Sequence, residues 1–486
     1  MNLAIIVLLG ATLIDGSGRA PLRNSIVVIE GDRIVAVGSR GKVRVPADAR
    51  VIDASGLVVA PGFIDPHNHS DRGFNDDRSA ASQVSQGITT VVIGQDGGSP
   101  FPIGPYLKSL DENPIALNVL TFVGHATLRS RVMGENTNRH ATPAEIAAMK
   151  QLVEEAMRDG AAGLSTGLEY ETGKPASIEE VITLAKAASK GIYISHIRDE
   201  ADKTFDALEE AIRIGREARI PVQISHIKLG SVAVWGKAQD VVTLINRARS
   251  RGQDVTADCY PYDAWSSTIR VLIPSGRHDD PVDVARGLAD VGGPKNVTIV
   301  SCRAHPEYEF KNMEEISKSE GISAVDLYMK IVRDGGAGVV CHSMKYADIE
   351  TFYRQPWVMV SSDGGIGSRH PRGAGSYPRV LGRYVREQRW LTLPQAIRKM
   401  TSLPAQRFKL RDRGLIRPGY KADLVLFDPA TVIDRATFQQ PQLMSEGVKR
   451  VFVNGVEVWA DGKVTGNRPG QALRLATKRH TKHKKE

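Results

Sequence analysis

The sequence predicts an α/β protein, a (β/α)8 TIM barrel carrying a small discontinuous β-sandwich domain built from both ends of the chain. Three observations point there. Eight short β-like runs alternate with helical stretches through the middle of the 486 residues. Both ends instead alternate β-branched runs with turn signals. Nearly every one of the eight central runs also closes on a histidine or a carboxylate, at the strand ends where a barrel places its active site.

Residues 1–59 supply the N-terminal part of the β domain, through ATLIDGSG, NSIVVIEGDRIVAVG and the start of ARVIDASGLVVAPG, with Gly31-Asp32 as a hairpin turn. The opening MNLAIIVLLGATL is apolar. It has no basic leader region and falls short of the roughly 18 apolar residues of a membrane span, so it reads mostly as a strand. Residues 60–412 form the barrel. Its strands are GFIDPHNH, TTVVIGQDG, ALNVLTFVGHA, AAGLSTGLEY, GIYISHIRDE, IPVQISHIKLG, DVTADCYPY and WVMVSSDGG. Between them, segments such as PAEIAAMKQLVEEAMRDG and KTFDALEEAIRIGREARI carry helical periodicity and end near Gly or before Pro. An insertion near 275–340 separates the seventh and eighth strands, placed to cover the barrel mouth. Residues 413–470 return to β texture in ADLVLFDP and VKRVFVNGVEVWADGK, where Asn454-Gly455 marks a hairpin. Residues 471–486 read as a basic, disordered tail.

Composition narrows the function. The 64 Lys and Arg against 55 Asp and Glu give a formal charge of +9, much of it in the tail at Lys478, Arg479, Lys482, Lys484 and Lys485. There is no basic stripe interleaved with aromatics and no recognition motif, so a nucleic-acid partner is not expected. Three widely spaced cysteines, Cys259, Cys302 and Cys341, argue against a disulfide framework and for the cytoplasm. They read as small buried hydrophobes. The expected partner is a small-molecule substrate, with no membrane; homo-oligomerisation is left open.

The strand ends carry the chemistry. His67 and His69 are two apart on the first strand, so both imidazoles share one face. His196 ends the fifth strand, His226 the sixth and Asp363 the eighth, while the second offers Asp96 and the fourth Glu169. A single such histidine is as often a structural one bonded to a carbonyl. Four at strand ends, with carboxylates able to bridge, describe a divalent site for zinc or a similar ion, most economically a two-metal cluster. His125, at the third strand's end, is as well read as structural, and His305, His342 and His370 rank lower as site residues.

These motifs resemble the amidohydrolase superfamily, through PGFIDPHNH, the single histidines of the fifth and sixth strands, and SDGG. Within it, ISHIRDE, QISHIK, DCYPY, SSDG, RHPRGAGSYPRVLGRYVRE, MTSLPAQRF and GYKADLVLFDP resemble the N-acyl-D-amino-acid deacylases, the D-aminoacylases. The resemblance implies that His67, His69 and Asp363 hold one metal and His196 and His226 the other. It places Lys228, Tyr260, Ser266 and Arg372 where the family binds the free carboxylate of its substrate, which suits two cations and two hydroxyls. The implied reaction is metal-dependent hydrolysis of an N-acyl-D-amino acid, with Asp363 as ligand and proton shuttle.

One departure stands out. The family usually places a cysteine in a Gly-Asn-Cys-Gly turn after the second strand; here the turn is Gly94-Gln95-Asp96-Gly97. In related amidohydrolases a carboxylated lysine or a glutamate on strand four bridges the ions, so the resemblance implies Glu169 as the bridging ligand, with Asp96 as its competitor and both able to contribute. One or two divalent ions are expected, zinc first; an oxygen bridge is harder than sulfur and shifts the preference toward manganese, iron or cobalt. A hydantoinase-like or dihydroorotase-like cyclic-amide hydrolase is the second reading, but GLSTGLEY lacks the lysine those enzymes carry on strand four. A dipeptide hydrolase is a third. A non-catalytic scaffold would show broken ligands, and none is broken.

Overall fold

Strand β1 (Phe63–Asp65) opens a parallel series with β2 (Ile88–Ile93) and β3, which a kink divides into Asn118–Thr121 and Val123–Gly124. The first part of β3 pairs with β2 and the second with β4 (Gly163–Gly167). From there β5 (Ile192–His196), β6 (Val222–Ile224), β7 (Val255–Cys259) and β8 (Val358–Val360) continue in parallel order. Beyond the regular ladder, β8 returns to β1: the Asp363 amide donates to the His67 carbonyl at 3.0 Å, and the His69 amide to Gly364 at 2.7 Å. A computed structural model provides this description, over residues 5–475.

The strands form because their β-branched residues are buried on both faces, as in the wholly buried ITTVVI of β2. The helices obey their end signals. Thr142 and Glu145 make a reciprocal capping box at the start of Pro143–Asp159, which closes at the left-handed Gly160. Among the described residues no helix is long and apolar enough to cross a membrane.

Strands from both chain ends join in one nine-stranded sheet. Val58–Pro61 pairs in parallel with Ile5–Leu13 and antiparallel with Leu424–Phe427, and both arms feed one apolar cluster including Leu8, Val27, Leu424 and Phe452. The two hairpin turns meet. Asn454 and Gly455 both take positive φ, 48° and 77°, and a Cβ on Gly455 would fall 1.9 Å from the Gly31 carbonyl oxygen.

Two expectations change. The insertion carries a three-stranded antiparallel sheet of Trp265–Thr268, Val297–Ser301 and Gly338–Cys341, so it begins ahead of residue 275. Residues 471–475 are not a loose tail: Ala472 bridges Val119, the Leu473 amide donates to Val119 at 2.7 Å, and that of Leu475 to Gly160 at 3.0 Å. Residues 476–486, with the basic cluster, lie outside the described residues, as do residues 1–4.

Candidate metal centre

The C-terminal strand ends open into a cavity of about 560 Å3, lined among others by His69, Asp96, Glu169, Lys228, Ser266 and Arg372. The insertion forms part of its wall through Trp265, Val271 and Leu272.

Ligand-type atoms gather here in overlapping groups. His67, His69, Asp96 and Asp363 form one; Asp96, His196 and His226 a second; Glu169, His196 and Glu200 a third. In the first, His67 Nε2 lies 3.3 Å from Asp96 Oδ2 and 3.4 Å from Asp363 Oδ1, and His69 Nε2 lies 3.2 and 3.3 Å from the same atoms. The other Asp96 oxygen, Oδ1, is 3.4 Å from His226 Nε2. His196 Nδ1 sits 2.9 Å from that same His226 nitrogen, and its Nε2 sits 2.8 Å from Glu169 Oε2.

Among the described residues Asp96 is thus the carboxylate common to the first two groups, one oxygen facing each. Glu169, the expected bridge, is grouped with His196 and Glu200 and does not enter the His67 group. The reason is local. Asp96 stands at φ 54° between Gly94 and Gly97, both also at positive φ, in a turn that aims its carboxylate across the strand ends. Two other ligand-type residues, His226 at φ 33° and Asp363 at φ 47°, share this left-handed conformation. Each such position costs about 1–3 kcal/mol, held by the surrounding packing.

The electrostatics fit divalent ions. Four carboxylates, Asp96, Glu169, Glu200 and Asp363, line the cavity together with Lys228 and Arg372. Burial works against charge on His67, but Asp96 and then Asp363 outweigh it and push the imidazole up to about 9. Burial likewise opposes ionisation of Asp363, and Arg372 with His226 overcomes it, holding the carboxyl well below the usual range. Buried Asp96 Oδ1 has no hydrogen-bond partner. A site that draws protons onto imidazoles between carboxylates, and leaves a ligand oxygen free, is one where a cation displaces those protons.

The expected clamp residues divide. Arg372 is buried, with Nη1 2.7 Å from Asp363 Oδ2 and Cζ 4.8 Å from the Tyr260 ring centroid. Its Nε makes no hydrogen bond, while Nη1 is committed to the Asp363 ion pair. Ser266 lines the cavity from the insertion's first strand. Lys228 is already engaged, by Glu200 at 2.6 Å and His226 Nδ1 at 2.8 Å. The Tyr260 hydroxyl turns away, toward Met344 Sδ at 3.6 Å.

Glu200 was not singled out from the sequence. It follows His196 by four residues in ISHIRDE, and that spacing is the available signal. His125 is structural, buried with Nε2 2.8 Å from Glu180. His370 is also buried, accepting from the Arg372 amide at 3.0 Å. His305 pairs with Asp334, and His342 packs on Phe438. The cysteines are buried and free, and burial pushes the Cys259 thiol up and that of Cys341 to about 12.

Known proteins resemble this chain over most of its length. Residues 50–465 match the amidohydrolase family. The chain is 40% identical to the N-acyl-D-aspartate deacylase of Alcaligenes xylosoxydans xylosoxydans, over 96% of this chain and 94% of the relative. It is 39% identical to the D-aminoacylase of the same organism, over 96% and 97%. The crystal structure of N-acyl-D-glutamate deacylase from Bordetella bronchiseptica, complexed with zinc and a phosphonate that mimics the tetrahedral intermediate, superposes with a TM-score of 0.86 at 36% identity. That match covers 98% of this chain and all of the other.

Proposed function

Because the chain belongs to the amidohydrolase family, we propose that its strand-end cluster hydrolyses the amide of N-acyl-D-amino acids, releasing a carboxylate and a free D-amino acid. The observation that carries this is the pair of donor groups joined through Asp96, beside a buried arginine whose Nε is unused.

His67, His69 and Asp363 would hold one divalent ion and His196 with His226 the other, with Asp96 within reach of both sets. Zinc is expected first, given the zinc in the related deacylase. The carboxylate-rich donor set also suits manganese, iron or cobalt. A divalent ion, when bound, supplies hydroxide at neutral pH and polarises a carbonyl oxygen.

The protein's own residues do the rest. Asp363, kept ionised by Arg372, accepts the proton of the attacking water and delivers it to the leaving nitrogen. Arg372 and Ser266 receive the substrate carboxylate, fixing the scissile bond over the cluster. Lys228, fastened to Glu200, sets the negative charge behind His196 and His226 rather than reaching for substrate. The preference for the D isomer is carried over from the likeness to the D-aminoacylase and the N-acyl-D-aspartate deacylase.

The test is free-amine release from paired N-acetyl-D- and N-acetyl-L-amino acids with acidic, aromatic and aliphatic side chains. Selective turnover of D isomers, abolished by chelation, is expected. Turnover of cyclic amides in place of either isomer would reject the reading.

A further inference from the structure

Asp258 lies at the end of β7, wholly buried, and belongs to none of the ligand groups. It nevertheless bonds the main chain of His226 and faces the His67 imidazole from just beyond hydrogen-bond distance. Its Oδ1 accepts the His226 backbone N–H at 2.9 Å, and the same oxygen stands 3.8 Å from His67 Nδ1. That imidazole nitrogen is buried and has no hydrogen-bond partner.

The grip on His226 is double. The Asp258 carbonyl accepts the amide of Ile227 at 2.7 Å while its carboxylate accepts that of His226, so one residue holds the chain on both sides of the left-handed turn. On its other oxygen, Asp258 receives Gln223 Nε2 at 2.7 Å. Gln223 is fixed in turn by the Thr256 hydroxyl, 2.6 Å from its Oε1, and Thr256 by Arg407 Nε, also at 2.6 Å. A continuous buried chain therefore runs from the barrel floor to this carboxylate, which has little freedom to move.

We propose that Asp258 is a positioning residue shared by the two metal half-sites, orienting His67 through its Nδ1 and His226 through its main chain. A carboxylate behind a ligating imidazole fixes its tautomer and raises its basicity, and losing such a partner typically weakens metal affinity about 10–100-fold. What this arrangement adds is that one carboxylate serves both ions, so its removal acts on both. The inference rests on the metal reading above.

The test is a metal titration of the full chain, stripped and then reloaded with zinc or cobalt against a competing chelator, with ions per chain counted by mass spectrometry. Asp258→Asn is expected to weaken every equivalent the wild type binds by about tenfold or more and to shift the visible bands of the cobalt form, while metal-free circular dichroism stays unchanged. Should that variant not fold, Asp258→Glu keeps the charge but moves it by one methylene, with the same loss expected. Wild-type affinity in a folded variant overturns the proposal, and weakening of one equivalent only overturns the shared role. A wild-type chain that binds no metal rejects the metal reading itself, and this inference with it.

Discussion

Arg372 holds Asp363: Nη1 of the guanidinium lies 2.7 Å from Oδ2 of the carboxylate, whose other oxygen faces His67 and His69. The same arginine is assigned to the substrate carboxylate, so its replacement has two separable effects. Arg372→Ala should raise KM for acyl amino acids, at about 1.5–3 kcal/mol for a lost charged hydrogen bond. An uncharged amide ester should lose less, and only through Asp363. Steady-state kinetics on both substrates checks this; equal losses on the two would argue against carboxylate binding.

Asp363→Asn removes the proton acceptor while keeping the side chain's shape. Turnover should fall by about 10²–10⁴-fold, with a thermal transition near that of the wild type. Wild-type-like kcat would end the assignment of Asp363 as proton shuttle.

Glu200 and Lys228 are read as a fixed pair rather than a substrate contact. Lys228→Met should therefore lower kcat for charged and uncharged substrates alike, by loosening His226, with little change in KM. A large KM rise confined to substrates with a carboxylate would restore Lys228 to the clamp.

Stability should depend on pH through Lys399. Its Nζ is buried, donating to the carbonyls of Gln355 and, at 2.9 Å, Val358, and burial lowers its pKa from 10.5 to about 7. A base with a lowered folded pKa binds fewer protons folded than unfolded between those values, so its contribution to stability rises from pH 7 to 10.5. Below pH 7 the full cost of the buried ammonium is present. Denaturation of Lys399→Met should show the wild type losing ground to the variant as pH falls from 10 toward 7. A pH-independent difference would contradict this.

Much of the architecture was legible because its signals are local. The eight runs, the Asn454-Gly455 turn and the histidines two apart at residues 67 and 69 follow from strand periodicity and turn chemistry. The gathering of these side chains was legible too, since residues at strand ends need only the strand order to be brought together. What escaped depends on direction in space. Glu169 and Asp96 both end strands, and only the backbone turn at φ 54° decides which carboxylate faces both histidine pairs. Asp258 is one of two aspartates in DVTADCYPY, and only the fold sets it against His226, while the Tyr260 hydroxyl is turned toward Met344, a residue 84 positions away. The pairing of residues 471–475 with β3 is carried by main-chain hydrogen bonds, which composition does not reveal.

The measurement that bears most directly on the shared carboxylate is a side-by-side count of bound ions and D-specific turnover in Asp96→Asn and Glu169→Gln. The arrangement of Asp96 between the two histidine pairs predicts that Asp96→Asn loses turnover and weakens both ions, whereas Glu169→Gln weakens only the His196 side. The reverse pattern, with Asp96→Asn binding both ions normally and Glu169→Gln losing both, would contradict it.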